Sequence, residues 1–498
     1  MAPEWIAPSD PLSDDLRSLA LLGLLPTRFA EQRPVLRGDA ARALARADGS
    51  RGPGVRHPLW VRSAQALAGE LAAIPGAPAY RETPPWAEFR GESATVRLRP
   101  YVDLGGTLAQ GGRSEWADGA RAGVAGVARF GDVVSLHQDL AVGYVPGGRS
   151  FADALVAHTD LLVFVESVYL GYSRPGLSVR LGRIRRQWGL ARGGNLFVDR
   201  SAAPFDHLEF AVPLGAFHFT AATGVLSVPE DRNIALHRLE WSPSERFTLG
   251  WSEGALFTGS PFQPLYALGI VPYTLVERLA GQDAGRSGVP EVRNNVLWTI
   301  DAFFRPAQGS WLWSAMLIDD VATESKEMPS RLGFQVGGGA GLDSDRRWWA
   351  EAEATKVYDY TYSVNYGDAC ACDWKHQDRP LGFPSGPDSE ELMLTVYAAP
   401  SVPFSFEFGG RVARRGEGRL GDPWNSPDLP PVPDRGPAWN LRGVIERREE
   451  ARIGARWIPR ENFSALGTVR LGRVRNRENA PGRSQTDSSL ELRLLSHW

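Results

Sequence analysis

The chain has 498 residues and a formal net charge of -3, which excludes a generally basic nucleic-acid binder. It holds 54 Gly, 37 Pro and 17 Trp, and Lys occurs only at Lys326, Lys356 and Lys375, so Arg supplies nearly all the positive charge. No apolar run approaches the roughly 18 residues of a membrane-spanning helix, which excludes a helical membrane protein.

The chain opens without a basic segment followed by an apolar one, so a secretory leader is expected to have been removed. In "SDPLSDDLRSLALLGLL", Ser9 or Asp10 suits an N-cap and Pro11 the first helical position. Leu12, Leu16, Leu19 and Leu22 then share one helical face, and Gly23 and Pro26 end the helix. A second short helix is predicted from Asp39 in "GDAARALARA", and a third in "HPLWVRSAQALAGELAAIP". Residues 1–80 therefore read as a helical element whose apolar faces must bury against something else.

From residue 91 to residue 498 the apolar period changes to two. Val296, Trp298, Ile300, Ala302 and Phe304 alternate with a set containing Asp301, and Leu490, Leu492 and Leu494 alternate with Glu491 and Arg493. About eighteen such segments follow one another. They begin near Ser93, Arg121, Asp132, Leu161, Gly176, Asp206, Ala216, Asn233 and Glu245. The rest begin near Asn294, Ser310, Arg331, Arg347, Glu390, Pro403, Arg447, Glu461 and Thr486.

Tight connections such as "SRPG" and "SPSE" take turns with long ones such as 258–293, 362–389 and 416–446. An even number of alternating strands with short and long connections in turn describes an outer-membrane β-barrel. Closure pairs every backbone group in a medium without water. Trp241, Trp251, Trp298, Trp311, Trp313, Trp348, Trp349 and Trp457, near segment ends, are expected in the interfacial girdles. The expected class is all-β, a transmembrane antiparallel barrel with a small N-terminal helical bundle. A soluble propeller would need a repeat of about 40–50 residues, and none is visible.

One stretch breaks the alternation: "RRQWGLARGGNLFVDRSAAPFDHLEF", Arg185 to Phe210. An Arg-Arg pair and Trp188 at a strand end lead into a glycine turn and a small-residue run. Gln187-Trp188-Gly189, Gly194-Asn195-Leu196 and Ser201-Ala202-Ala203-Pro204 resemble the signature of the capsule assembly protein Wzi family. "LHRLEWSPSERFTLGWSEGALFTG", "GIVPYTLVERL" and "NNVLWTIDAFFRP" follow the order of that family, and "DPLSDDLRSLALLGLLP" resembles its periplasmic helical segment. The departures are Leu190-Ala191 for a Pro-Gly, a single Trp for a pair, and Asp199-Arg200 where an Asn pair stands. The terminal Trp498 also resembles the C-terminal signal of outer-membrane barrels.

The resemblance implies a barrel of about eighteen strands in the outer membrane, closed at its periplasmic end by helices and handling or anchoring surface polysaccharide. Arg forks recognise carboxylates, and aromatic faces stack on sugars. Arg183, Arg185, Arg186, Trp188, Arg192 and Asn195 are thus the candidate ligand-binding residues. The plain reading of the same cluster is a salt-bridged lumen wall. Expected partners are surface polysaccharide, outer-membrane lipid and envelope proteins, with no cofactor. The competing functions are a porin-like channel and a scaffold barrel without glycan affinity.

Catalysis has little support. The eight histidines are scattered and no G-x-S-x-G occurs. Asp319 and Asp320 are adjacent on a strand and face opposite ways, whereas Glu351 and Glu353 share a face. Cys370 and Cys372, in "GDACACDWKH", read as a local disulfide or two loop thiols, with a metal site alongside Asp368, Asp373 and His376 as the alternative.

Overall fold

The computed structural model describes residues 3–49, 56–110, 119–145, 153–279, 294–321, 328–364, 372–424 and 439–498. Eighteen antiparallel strands close into one barrel, from Ala94–Gln110 to Gln485–His497. The last strand pairs with the first, as in Leu494 opposite Leu104. Each strand starts within two residues of its expected position. A short strand, Ala87–Arg90, extends the sheet beside the first strand. No described helix is long and apolar enough to cross a membrane.

The alternation sorts residues as the period of two requires. Leu104, Leu108, Leu170, Leu181, Ile300, Leu312, Leu394, Ile453 and Leu492 are exposed on the outer face. At the end with tight turns, outward aromatics contact one another, including Phe217 with Trp241, Trp241 with Phe247 and Trp457 with Phe463. This is the aromatic girdle. It does not include three of the expected tryptophans. Trp311, Trp313 and Trp349 face inward, 1 %, 5 % and 3 % exposed, and Trp348 beside Trp349 faces out. Adjacent strand residues cannot share a face, so a Trp-Trp pair supplies one to each side.

The inward tryptophans meet the N-terminal helices. Helix Pro11–Leu21 starts on Asp10, whose carboxylate accepts from Leu12 N at 2.8 Å, with Pro11 in the first turn. Its Leu12, Leu16 and Leu19 are buried in one cluster with Leu44, Leu59, Trp60, Trp311, Trp313 and Trp349. The expected third helix is two, Pro58–Ala66 and Ala68–Ala72, broken at Leu67. Arg305 and Arg346, in tight turns, donate to Ala20 O and Leu22 O. The helices therefore plug the tight-turn end.

Two loops fold inward from the opposite end. Residues 185–204 descend to the plug: Gln187 and Trp188 pair with Arg33 and Gln32, and Gly189 N donates to Glu31 O at 2.9 Å. Gly189 and Gly194 hold φ of 121° and 140°, and a side chain there would strike Asn195 and Pro384 respectively. The described part of loop 358–388 lies above it, with Trp374 Nε1 donating to Phe197 O at 2.8 Å. Trp188, Leu196, Phe197, Tyr362, Trp374, Leu381 and Phe383 form a second core inside the barrel. Cys372, in this core, is disulfide-bonded. Cys370 and Asp368 lie outside the described residues.

One loop goes the other way. After Phe257 the chain folds back over the outer wall, where Gly269 lies against Ala221 and His237. Tyr273 N and Thr274 N donate to the Glu253 carboxylate at 2.7 and 2.9 Å. Phe262, Leu265, Leu268, Ile270 and Leu275 of this strap are exposed.

Candidate ligand-binding cavity

The two inner cores fill the lumen against one side of the wall. Along the other side lies a cavity of about 1110 Å³, at the upper end of small-molecule sites, which run to about 1,000 Å³. Its wall side comes from the first five strands and the last three. Its inner side comes from the plug, through Glu4, Arg37 and Glu70, and from the in-folded loop, through Arg185, Arg192, Gly193, Asp199, Arg200 and Ser201. The lining holds thirteen Arg against ten Asp or Glu, so the surface carries an excess of positive charge.

Many of these groups form a relay across the closure of the barrel. Asp103 accepts from Arg121 at 2.5 Å and from Arg493 at 2.7 Å, joining the first, second and last strands. Arg121 reaches on to Glu166 at 3.0 Å, and Arg185 lies 3.5 Å from the same carboxylate. Tyr101 donates to Asp139 at 2.8 Å, and the Arg121 guanidinium lies over the Phe164 ring. Arg99 has one protein acceptor among the described residues, Thr83 O at 3.4 Å.

On the inner side, Asp14 sits among Arg33, Arg192, Arg200 and Arg456. Burial pushes its carboxyl up, but these four guanidinium groups hold it far below the usual carboxylate range. Burial likewise works against Glu70, which Arg37 and Arg129 nevertheless hold down at about 2.

The structure divides the six candidate residues from the sequence. Arg185 and Arg192 line the cavity. Arg185 also donates to Ala202 O at 2.9 Å, and Arg192 lies 4.6 Å over the Tyr397 ring. Arg183 is on the outward face of its strand, bonded to Asp206 at 2.9 Å and to Asp153. Arg186, Trp188 and Asn195 are 3 %, 3 % and 1 % exposed and absent from the lining. Asn195 is a brace for the loop: its side-chain oxygen accepts from Ala191 N and its amide reaches Asp199. Trp188 stacks on Phe197 in the second core.

Glu351 and Glu353 use their shared face to lock these layers to the wall. Glu351 takes Arg17 of the plug at 3.0 Å, and Glu353 accepts from Arg192 N and Gly193 N at 2.9 and 2.5 Å. Sequence reasoning missed Asp103, Arg121, Glu166, Arg200 and Arg493. Asp103, Arg121, Glu166 and Arg493 lie on alternating strands and Arg200 on the loop that breaks the alternation, but nothing local says that Asp103 and Arg493, separated by 390 positions, are neighbours. Groups of His, Cys, Asp and Glu able to hold a metal do not occur among the described residues.

A closed eighteen-strand barrel with an apolar exterior, an aromatic girdle and a plugged lumen is an outer-membrane β-barrel architecture. The particular version is that of Wzi. The solved structure of that Escherichia coli outer-membrane protein, a carbohydrate-binding β-barrel involved in group 1 capsule assembly, superposes with a TM-score of 0.64 over 98 % of both chains at 13 % identity. OprD of Pseudomonas aeruginosa shares 8 % identity, with 81 % of this chain and 94 % of its own covered and a TM-score of 0.45. A loop-deletion mutant of Vibrio cholerae OmpT gives 8 % identity, 82 % and 100 % coverage and a TM-score of 0.37. No protein-family model matches the sequence, and no curated protein matches it.

Proposed function

We propose that this protein binds an acidic surface polysaccharide at the outer membrane, as a binding and anchoring barrel rather than an enzyme. The observation that carries the reading is the cavity itself, an arginine-rich surface between the wall and the in-folded loop. Arg185, Arg192 and Arg200 face uronate carboxylates or other anionic substituents from one side, and Arg121 and Arg493 from the other. Wzi, whose fold the chain shares, is itself a carbohydrate-binding barrel. In this reading residues 1–80 form the periplasmic element, because tight turns mark the periplasmic end of such barrels and the helices sit there.

Titration calorimetry of the purified protein with uronic-acid-rich and neutral polysaccharides tests the proposal. Binding is expected for the acidic polymer alone and should weaken as salt rises. Arg185→Gln and Arg200→Gln should each lower affinity by about tenfold. Equal affinity for the neutral polymer, or unchanged affinity in both variants, refutes the site.

A diffusion pore is the second reading, favoured by one feature. The cavity lining runs from Gly119 and Val145 near the loop end to Asn462 and Trp498 near the turn end. Stable single-channel conductance of the wild-type protein in a planar bilayer would support it.

A further inference from the structure

Arg186 has a different place from its neighbour Arg185. It lies against Arg180, which is 0 % exposed and projects inward from the strand Leu177–Ile184. Between them stands Glu209, opposite Arg180 on the next strand, which accepts from Arg180 Nη2 at 2.8 Å and pairs with Arg186. Among the described residues, Glu209 is the one carboxylate that either guanidinium contacts. Two permanent cations thus share one anion inside the barrel. Lysine or histidine could relieve that imbalance by losing a proton, but arginine stays charged at every ordinary pH.

The donors repeat the imbalance. Arg180 Nε and Nη1 and Arg186 Nε are buried without a hydrogen-bond partner. His207, two residues before Glu209 on the same inward face, donates Nδ1–H to Phe205 O at 2.8 Å, so its Nε2 is an acceptor and adds no donor to the cluster. Ring faces cover the two guanidiniums, Trp5 at 5.0 Å from Arg180 and Trp188 at 5.6 Å from Arg186. An aromatic face offsets part of a cation's charge but accepts little from in-plane N–H groups. Unpaired buried charge is among the costliest features a fold can hold.

We propose that Arg180 and Arg186 enclose a binding site for one small inorganic anion of the halide class. Arg180 and Arg186 are 0 % and 3 % exposed and lie outside the large cavity, whose lining passes through Ile184 and Arg185 instead. The anion neutralises the excess charge and joins the strand of Arg180 to the in-folded loop at Arg186, whose guanidiniums the Trp5 and Trp188 rings cover. The site is independent of polysaccharide binding.

Crystals of the wild-type protein grown in sodium bromide are expected to show an anomalous peak within hydrogen-bonding distance of Arg180 and Arg186. Density that is water alone, without bromide signal, overturns the proposal. In solution, thermal unfolding at matched ionic strength should occur at a higher temperature in sodium chloride than in sodium gluconate. Arg186→Gln, which removes the excess charge, should abolish that difference, and Glu209→Gln should widen it. Equal unfolding temperatures of the wild type in the two salts also overturn it. Should Arg186→Gln fail to fold, the bromide measurement on the wild type still decides.

Discussion

Replacing Glu351 with Leu would test how the plug is held. Arg17 makes three hydrogen bonds of 3.0–3.1 Å to the Glu351 carboxylate and one of 2.7 Å to Leu190 O. The two residues are 1 % and 8 % exposed. Glu351→Leu leaves a buried guanidinium with the Leu190 carbonyl as its remaining partner, a change that costs about 3–5 kcal/mol. Arg17 belongs to the plug and Glu351 to the wall, so the loss falls on docking of the helices and spares the backbone ladder of the barrel. Urea titration read by trypsin cleavage within residues 1–80 should show an earlier transition. The heat-dependent gel mobility of the barrel should stay as in the wild type. Arg17→Met combined with Glu351→Leu should recover to within about 1 kcal/mol of the wild type, since an apolar pair replaces a buried ion pair at little cost. A single variant that loses less than about 1 kcal/mol, or a double variant no better than the single one, refutes the argument.

Glu70, held at about 2 by Arg37 and Arg129 against a usual 4.5, contributes stability that is complete above pH 4.5 and lost as pH falls toward 2. That contribution is about 3 kcal/mol by linkage, and unfolding midpoints of Glu70→Gln should be flatter over this range than those of the wild type. Asp359 behaves oppositely: burial and Asp388 raise it to about 7 in spite of Arg442. Its contribution is complete below 3.8 and is lost as pH rises to 7, so proteolytic nicking of the outer loops should quicken between about pH 4 and 7 in the wild type but not in Asp359→Asn. Trp374 is fully buried over Phe197, and Trp374→Ala should destabilise the second core by about 3–5 kcal/mol and raise bilayer conductance as the loop end opens. Unchanged conductance would show that the loop layer is not a seal.

Barrel architecture was legible in the sequence because alternation survives translation into any register. Phe404, Phe406 and Phe408, or Leu490, Leu492 and Leu494, declare an outer face without knowledge of their neighbours. What alternation cannot state is what lies against each face. Trp311 and Trp313 looked like girdle residues, yet they lie on the inward face, where they support the helices. The in-folded loop was marked by its break in period and by Gly189 and Gly194, but its depth depends on Gln187 pairing with Arg33, a contact across 154 positions. The cavity was the least legible part. Arg185 and Arg192 were nominated from a local cluster, while Asp103, Arg121 and Arg493 meet only when the last strand closes on the first.

The strap over the outer wall bears on which side chains such a wall can carry. His237 and Glu253 occupy lipid-facing positions of their strands, yet both are 1 % exposed because the strap covers them. Arg or Lys on the lipid face of a barrel costs about 2–4 kcal/mol near the bilayer midplane, and an acidic side chain costs less but still opposes burial in hydrocarbon. Bare, these strands would meet hydrocarbon with a carboxylate and an imidazole uncovered. In the folded protein the segment after Phe257 does this covering, with Tyr273 N and Thr274 N on Glu253. A loop that looks peripheral thus lets two polar side chains stand on the outer wall of the barrel.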